Sequence, residues 1–272
     1  MRRRSSPLTA AVMIPLACLV GLPLYYVVVN TFKTQPEMAA SPLALPSAPT
    51  LENYRSVVED VPLVQSFANT VYVTALSILV MLAVGATAAY GMVMRSSAFN
   101  RVFGAALLVA FLVPGQATLI PIYRLLVDLD LVDTLTGLVV FYSSGSIFCF
   151  FLVQGYLRTI PMEIIEAARI DGAGAFQIFW RIVLPLIRPI LATVGVFQTM
   201  WVWNDFITPN IVLSSPDKAT IVLQVYRAVG QFTTDWPAFM TLSVVVLVPM
   251  VVFFVLTQRH IVSGILAGSI KG

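Results

Sequence analysis

The residues able to do chemistry are few and lie in three places. Residues 166–185 read EAARIDGAGAFQIFWRIVLP and carry Glu166, Arg169, Asp171 and Arg181 between long uncharged runs. Asp205 stands in WVWNDFITP, and the one histidine, His260, is followed by Ser263. A serine–histidine pair needs an orienting acid to work as nucleophile and base, and none lies near His260. Cys18 and Cys149 fall inside apolar runs, with no metal spacing and no disulfide framework. They read as small packing residues. No G-x-x-x-x-G-K-S/T stretch occurs, so the chain does not bind nucleotide through a P-loop. Hydrolytic, redox and metal chemistry all lack the groups they need.

Composition says what medium must hold these residues. Of 272 residues, 58% are hydrophobic and 11% charged, against about 25% charged in a soluble domain; the mean hydropathy is +0.90. The net charge of +3 is scattered at the ends of apolar runs, unlike the clustered basic face of a nucleic-acid binder. Charges are missing from Arg4 to Lys33, Asp60 to Arg95, Arg101 to Arg124, Asp133 to Arg158, Arg188 to Asp205 with a continuation to Asp217, and Asp235 to Arg259. A helix needs about 20 apolar residues to cross a roughly 30 Å hydrocarbon core. The gaps predict an all-α, polytopic membrane protein with six transmembrane helices near 9–31, 64–94, 102–125, 135–157, 187–211 and 237–257. The first run follows Arg2, Arg3 and Arg4. It is too long for the apolar region of a signal peptide and no A-x-A site follows, so it is read as an uncleaved helix.

Lys and Arg concentrate in cytoplasmic loops. With the N-terminus inside, 11 of the 16 basic residues fall inside: Arg2, Arg3, Arg4, Arg95, Arg101, Arg158, Arg169, Arg181, Arg188, Arg259 and Lys271. The other 5 (Lys33, Arg55, Arg124, Lys218 and Arg227) fall outside. Both termini are then cytoplasmic, and residues 166–185 form a cytoplasmic loop between the fourth and fifth helices.

Local signals refine this frame. Pro36, Pro42, Pro46, Pro49 and Pro62 break helices and predict an extended outer loop over 33–62, with a short helix near 51–59. Gly85 with Ala89, and Thr87 with Gly91, stand four apart, a spacing at which small residues let membrane helices approach. An acid deep in the fifth helix would cost about 2.5–3.5 kcal/mol on insertion scales and would face the bundle interior or water. A shifted helix would instead bring Asp205 to the outer interface. Asp205 with Asn204 thus reads either as a helix-end or bundle hydrogen bond or as a solute contact. Trp201 and Trp203 read as belt or packing rings, or as the lining of a sugar path.

After Pro161, Glu163–Ile170 predicts a short helix with Ile164, Ile165, Ala168 and Ile170 toward the body or a partner. Asp171-Gly172 is a stop and turn, since glycine tolerates positive φ. Phe176, Phe179, Ile182 and Val183 stand at helical spacing and predict a second helix over 175–183. Pro185 and Pro189 punctuate the start of the fifth span. The result is an elbow, either an interface element for a partner or an amphipathic hairpin in the membrane surface.

The stretch resembles the EAA loop of the membrane subunits of ATP-binding-cassette importers, matching at Glu166, Ala167, Ala168, Gly172, Ile182, Leu184 and Pro185. FANT at 67–70, AAYG at 88–91, WNDF at 203–206 and the terminal QRHIVSGILAGSIKG are similar to the shorter permease subunit of maltose-transporter-type carbohydrate importers, across nearly the whole chain. The resemblance implies a type I ABC importer permease (MetI-like) architecture in a bacterial inner membrane. Its parts would be a first helix and extracytoplasmic loop (1–63), a permease core (64–260) with a cytoplasmic coupling loop (158–186), and a cytoplasmic tail (261–272). It implies a permease and no enzyme, without a cofactor of its own. Its partners would be a homologous second permease, two ATPase subunits that bind the ATP, an extracytoplasmic sugar-binding protein and membrane lipid, with no nucleic acid. Glu163, Glu166, Ala167, Ala168, Arg169, Asp171, Gly172, Ile182, Leu184 and Pro185 would couple to the ATPase. Glu166 and Arg169 would pair with its rim, while Ala167 and Ala168 would suit a tight cleft. Trp203, Asn204 and Asp205 would line or gate the path.

Two other classes compete. An ion-driven secondary transporter wants ionisable groups buried near the midplane and often inverted repeats; only Asp205 approaches this. A membrane scaffold without transport would differ from an importer in holding no ATPase subunit.

Overall fold

The computed structural model describes the backbone of residues 7–95, 97–231 and 235–269, and the side chains of 11–95, 97–228 and 235–259. The readings that rest on Arg2, Arg3, Arg4 and Lys271, and on the side chains of His260 and Ser263, lie outside the described residues. Among those described, every regular element is helical. In order they are α1 (Pro7–Asn30), α2 (Gln35–Ala40), α3 (Glu52–Asp60), α4 (Leu63–Met94), α5 (Ala98–Leu112), α6 (Gly115–Asp128) and α7 (Leu135–Tyr142). A 3₁₀ turn (Ser143–Gly145) leads to α8 (Ser146–Leu157), α9 (Glu163–Ile170) and α10 (Ala175–Ile178). A π turn (Phe179–Val183) joins α10 to α11 (Leu184–Asn204), followed by α12 (Ile207–Val212), a 3₁₀ turn (Pro216–Lys218), α13 (Ile221–Gln231) and α14 (Trp236–Ser269).

Among the described residues, five helical stretches are long and apolar enough to cross a membrane: Ala11–Asn30, Leu63–Met94, Leu135–Leu157, Ala175–Asn204 and Trp236–Arg259. The expected third span, 102–125, is not one helix. It is split into α5 and α6, bent by 104°, and supplies a sixth span if the pair is counted as one. The cause is local. Val113 precedes Pro114, and a residue before proline is pushed out of the helical region; Val113 sits at φ −70 and ψ 124. The fifth span is shifted toward the N-terminus, from the expected 187–211 to Ala175–Asn204. Pro185 and Pro189 do not separate a loop helix from it. The π turn lies immediately before Pro185, and a π turn shifts the hydrogen-bond register, so the missing proline N–H falls at the start of α11. The last helix, expected to stop near 257, continues to Ser269.

Residues up to Leu63 form one compact unit together with Gln224–Pro249, and Val64–Leu223 form another together with the segment from Met250. In the first, the proline-rich stretch forms α2 at its start and α3 (Glu52–Asp60) at the place of the expected short helix, with irregular chain over 41–51 between them. Pro36 occupies the first turn of α2, where its missing N–H costs nothing. Lys33 is fully buried and its Nζ donates to the Ser41 carbonyl at 2.8 Å. Asn30 Nδ2 donates to the carbonyls of Tyr26 (2.7 Å) and Pro42 (3.0 Å), and Asn53 Nδ2 to those of Thr31 (2.7 Å) and Lys33 (2.9 Å).

Among the described residues, the second unit holds two clusters of buried side chains. One joins Ala86 and Ala89 of α4, Cys149 and Val153 of α8, Ile165 and Ala168 of α9, and Ile187 and Val194 of α11. The other gathers Val73, Met81, Leu138, Tyr142, Val202 and Leu223. A Cβ on Gly85 would lie 2.6 Å from Cys149 Cβ, so α4 and α8 meet where the glycine leaves room. Gly91 has nothing within 4 Å, so of the two small-residue pairs only Gly85/Ala89 serves close packing.

Candidate functional site

The charged stretch builds a hinge-like elbow. Glu163 and Glu166 lie in the first turn of α9 and Arg169 in its last, the order that suits the helix dipole. The helix ends in a Schellman motif: Gly172 N–H donates to the Arg169 carbonyl and Ala173 N–H to the Ala168 carbonyl, both at 3.0 Å. Gly172 holds φ at +83, a conformation in which only glycine, and to a lesser degree Asn or Asp, sits easily. Ile165 and Ala168 turn into the core, while Ile164 and Ile170 turn outward, Ile170 being 86% exposed. Ala168 therefore packs within its own unit, and of the two alanines only Ala167 is left facing out.

After the turn, Phe179 and Val183 are buried and Ile182, Leu184 and Pro185 half-buried. Phe176 is 77% exposed and Trp180 half-exposed. Ile178 takes the buried place that the helical spacing gave to Phe176. The Tyr90 hydroxyl donates to the Ala175 carbonyl at 2.9 Å, and its ring lies 5.2 Å from that of Phe179. Thus the AAYG tyrosine ties the elbow to α4. Glu163, Glu166, Arg169, Asp171 and Arg181 are exposed and make no ion pair or side-chain hydrogen bond among the described residues.

Asp205 is not deep in a helix; it closes α11. Its Oδ1 accepts the N–H groups of Ile207 (2.9 Å) and Thr208 (3.4 Å), and its Oδ2 accepts the Tyr142 hydroxyl at 3.0 Å. The shifted helix, one of the two sequence alternatives, is the one observed. Asn204 Nδ2 bonds back to the Met200 carbonyl at 2.7 Å. Trp203 packs edge-on against Phe67 at 5.6 Å, and its buried Nε1 has no partner among the described residues. Neither lines the cavity of about 500 Å³ that opens beside the α5–α6 bend; Asp205 does, with Gln198 and Trp201. Residues 198, 201 and 205 recur at the spacing of one helix face. That signal was readable, since Gln198 is an amide in the middle of a largely apolar stretch of α11.

At the other end of the Leu135–Leu157 stretch, Asp133 forms a clamp that sequence reading missed. Its carboxylate accepts the N–H groups of Ser214 (3.0 Å) and Ser215 (2.9 Å), the Ser215 hydroxyl, and Lys218 Nζ at 3.1 Å. Lys218 Nζ also donates to the Asp133 carbonyl. The Ser215 hydroxyl and amide, helped by Lys218 and the Ser214 amide, hold the Asp133 carboxyl well below its ordinary 3.8. Asn69 Nδ2 donates to the carbonyls of Asp217 (2.8 Å) and Ala219 (3.1 Å), and Thr70 Oγ1 accepts the Ile221 N–H at 2.8 Å. The FANT residues thus anchor the same segment. Among the described residues no group of three His, Cys, Asp or Glu could hold a metal ion.

Residues 81–266 match the family described as binding-protein-dependent transport system inner membrane component. The chain is 34% identical over 250 residues to the "Probable starch degradation products transport system permease protein AmyC" of Thermoanaerobacterium thermosulfurigenes, covering 92% of this chain and 91% of the relative. It is 30% identical over 259 residues to the "Melibiose/raffinose/stachyose import permease protein MelC" of Bacillus subtilis, covering 94% and 93%. Its fold superposes with a TM-score of 0.81, at 23% identity and over 94% and 99% of the two chains, on a chain of a bacterial ABC transporter involved in the import of the acidic polysaccharide alginate.

Proposed function

The chain belongs to the binding-protein-dependent transport system inner membrane components, and from that premise we propose that it carries a saccharide across the membrane as one permease subunit of an ATP-driven importer. The family name supplies the extracytoplasmic binding protein. Relatives named for starch products and for melibiose, raffinose and stachyose support a saccharide cargo. A homologous second permease would complete the path, and two ATPase subunits would drive it. Both chain termini, the elbow included on their side, would face the cytoplasm. The gradient-driven alternative loses its one supporting feature, because Asp205 is engaged as a helix cap and by Tyr142.

The observation that carries the reading is the elbow. A short helix fixed by a glycine turn continues through a π turn into a membrane-length helix, and it offers exposed apolar side chains beside charged ones that make no ion pair among the described residues. Such an element passes a rigid-body push from a partner into the span. Glu163, Glu166, Ala167, Arg169 and Asp171 would meet the ATPase. Ala168, Gly172, Ile182, Leu184 and Pro185 would keep the element in shape. Trp203 and Asn204 would support the path around Asp205.

The test is ATP hydrolysis stimulated by the loaded binding protein, beside uptake in vesicles, for the complex carrying Gly172→Pro or Glu166→Lys. Both variants are expected to insert normally and to lose stimulation and uptake. Normal values in both would return the elbow to an interfacial hairpin. A cysteine at 172 that labels from outside intact cells would reverse the orientation; one at 216 should label.

A further inference from the structure

The cavity beside the α5–α6 bend is not accounted for by coupling or packing. It measures about 500 Å³, within the roughly 300–1,000 Å³ of small-molecule sites. Its wall is largely aromatic and aliphatic, and its polar side chains converge from four elements: Gln116 and Thr118 of α6, Ser144 of the 3₁₀ turn, Gln198 of α11 with Asp205 at its end, and Thr208 of α12. Trp201 lies between Gln198 and Asp205, 42% exposed and braced edge-on by Tyr142 at 5.4 Å.

Gln198 is the telling group. It is 5% exposed, and a buried amide is normally satisfied on both sides. Its Nε2 donates to the Gly145 carbonyl at 2.9 Å, while its Oε1 makes no hydrogen bond among the described residues. Glycine at 145 permits this pose, since a Cβ there would lie 2.6 Å from Gln198 Nε2. The amide is therefore pinned by one end, with its acceptor end left for something in the cavity. Asp205 is fixed by Tyr142 and two backbone amides, so its carboxylate stays in place with acceptor capacity remaining.

We propose that this cavity binds one unit of an uncharged saccharide, with the Trp201 ring against its apolar face and Gln198 and Asp205 accepting its hydroxyls. A flat ring beside convergent acceptors suits a polyol whose C–H face is apolar and whose rim is all O–H. The lining holds no Lys, Arg or His, and its one charge is the Asp205 carboxylate. A uronic acid or sugar phosphate would be buried beside that charge without compensation. The subsite deepens the importer reading and rests on it.

The experiment uses the whole importer in proteoliposomes, this chain with its second permease, ATPase and binding protein, and radiolabelled maltotriose, raffinose and trigalacturonate. Gln198→Ala and Trp201→Ala are expected to lower uptake of the transported neutral sugar about tenfold, the scale of one or two lost contacts. Trp201→Phe should keep about half of it, because a ring remains. ATP hydrolysis stimulated by the loaded binding protein should stay near wild type in all three. Unchanged uptake in both alanine variants overturns the subsite and leaves the importer reading intact. Uptake and stimulated hydrolysis falling together, unrelieved by Trp201→Phe, would mark the cavity as structural and also overturn it. Preference for trigalacturonate over both neutral sugars would do so too. A wild-type complex without any ATP-driven uptake would overturn the importer reading and the subsite with it.

Discussion

The two ends of the Leu135–Leu157 stretch use similar residues to opposite effect. At the Asp133 end, an acid at positive φ gathers two backbone amides, a hydroxyl and a lysine, and Asn69 and Thr70 hold the same segment from α4. At the elbow, acids, arginines and a glycine at positive φ stand next to one another and bond to none of their neighbours' side chains among the described residues. The first end satisfies itself. The second leaves polar groups to solvent and Ile170, Phe176 and Trp180 uncovered, the pattern of a surface that meets another molecule. A charged loop marks an interface, then, only when its charges are not already used.

The largest difference between the two ends should come from Gly172. A Cβ there would meet nothing within 4 Å, so any cost of a side chain comes from φ alone, about 1–3 kcal/mol. Gly172→Val is expected to abolish coupled uptake while the protein stays inserted. Gly172→Asn should retain most of it, because Asn tolerates the left-handed region. Equal loss in both, measured by sugar uptake in vesicles, would show that φ is not what sets the elbow.

A second contrast lies in the packing between the two ends. Gly85→Ala puts a methyl 2.6–2.8 Å from Cys149 and the Ser146 carbonyl and should cost about 1–3 kcal/mol by overpacking. Gly91→Ala, in open space, should cost nothing. Thermal unfolding in detergent separates the two, and equal midpoints would contradict the close approach of α4 and α8.

Removing the clamp should be milder still. Asp133→Ala is expected to cost about 1–2 kcal/mol for lost, partly exposed hydrogen bonds. It should speed hydrogen exchange at Ser214 and Ser215 while stimulated ATP hydrolysis stays normal. Loss of coupling in this variant would erase the distinction between the ends.

The smallest effect is on pH. The Asp133 carboxyl is depressed below 3.8 by its folded partners. Its contribution is therefore complete above that ordinary value and is lost as pH falls through the depressed one. Protection of the Ser214 and Ser215 amides should survive acidification to about pH 4; loss near pH 5 would contradict the bonding described.

Much of this was legible in sequence, because runs between charges report directly on the hydrocarbon, and Asp171-Gly172 is a local turn signal that needs no distant contact. The α5–α6 bend was written in Val113-Pro114-Gly115 and outweighed in reading by the uncharged run around it. The clamp was not legible, since Asp133 and Ser215 are 82 residues apart and only the fold unites them. Trp203 drew attention as an aromatic beside an acid, yet helix rotation gives the cavity to Gln198 and Trp201. Ala168 shows the same effect at the elbow, where an outward or inward face depends on which way α9 docks.

If the elbow is the coupling surface, it is covered in the working complex. With Cys18 replaced by serine and Cys149 buried, a cysteine introduced at position 170 is the accessible thiol of this subunit, and it can be alkylated in the permease alone and in the complex containing the ATPase. We predict ready labelling without the ATPase and strong protection with it, while a cysteine at Pro216 near the clamp labels equally in both. Equal labelling of position 170 with and without the ATPase would contradict the assignment of the elbow as the coupling surface.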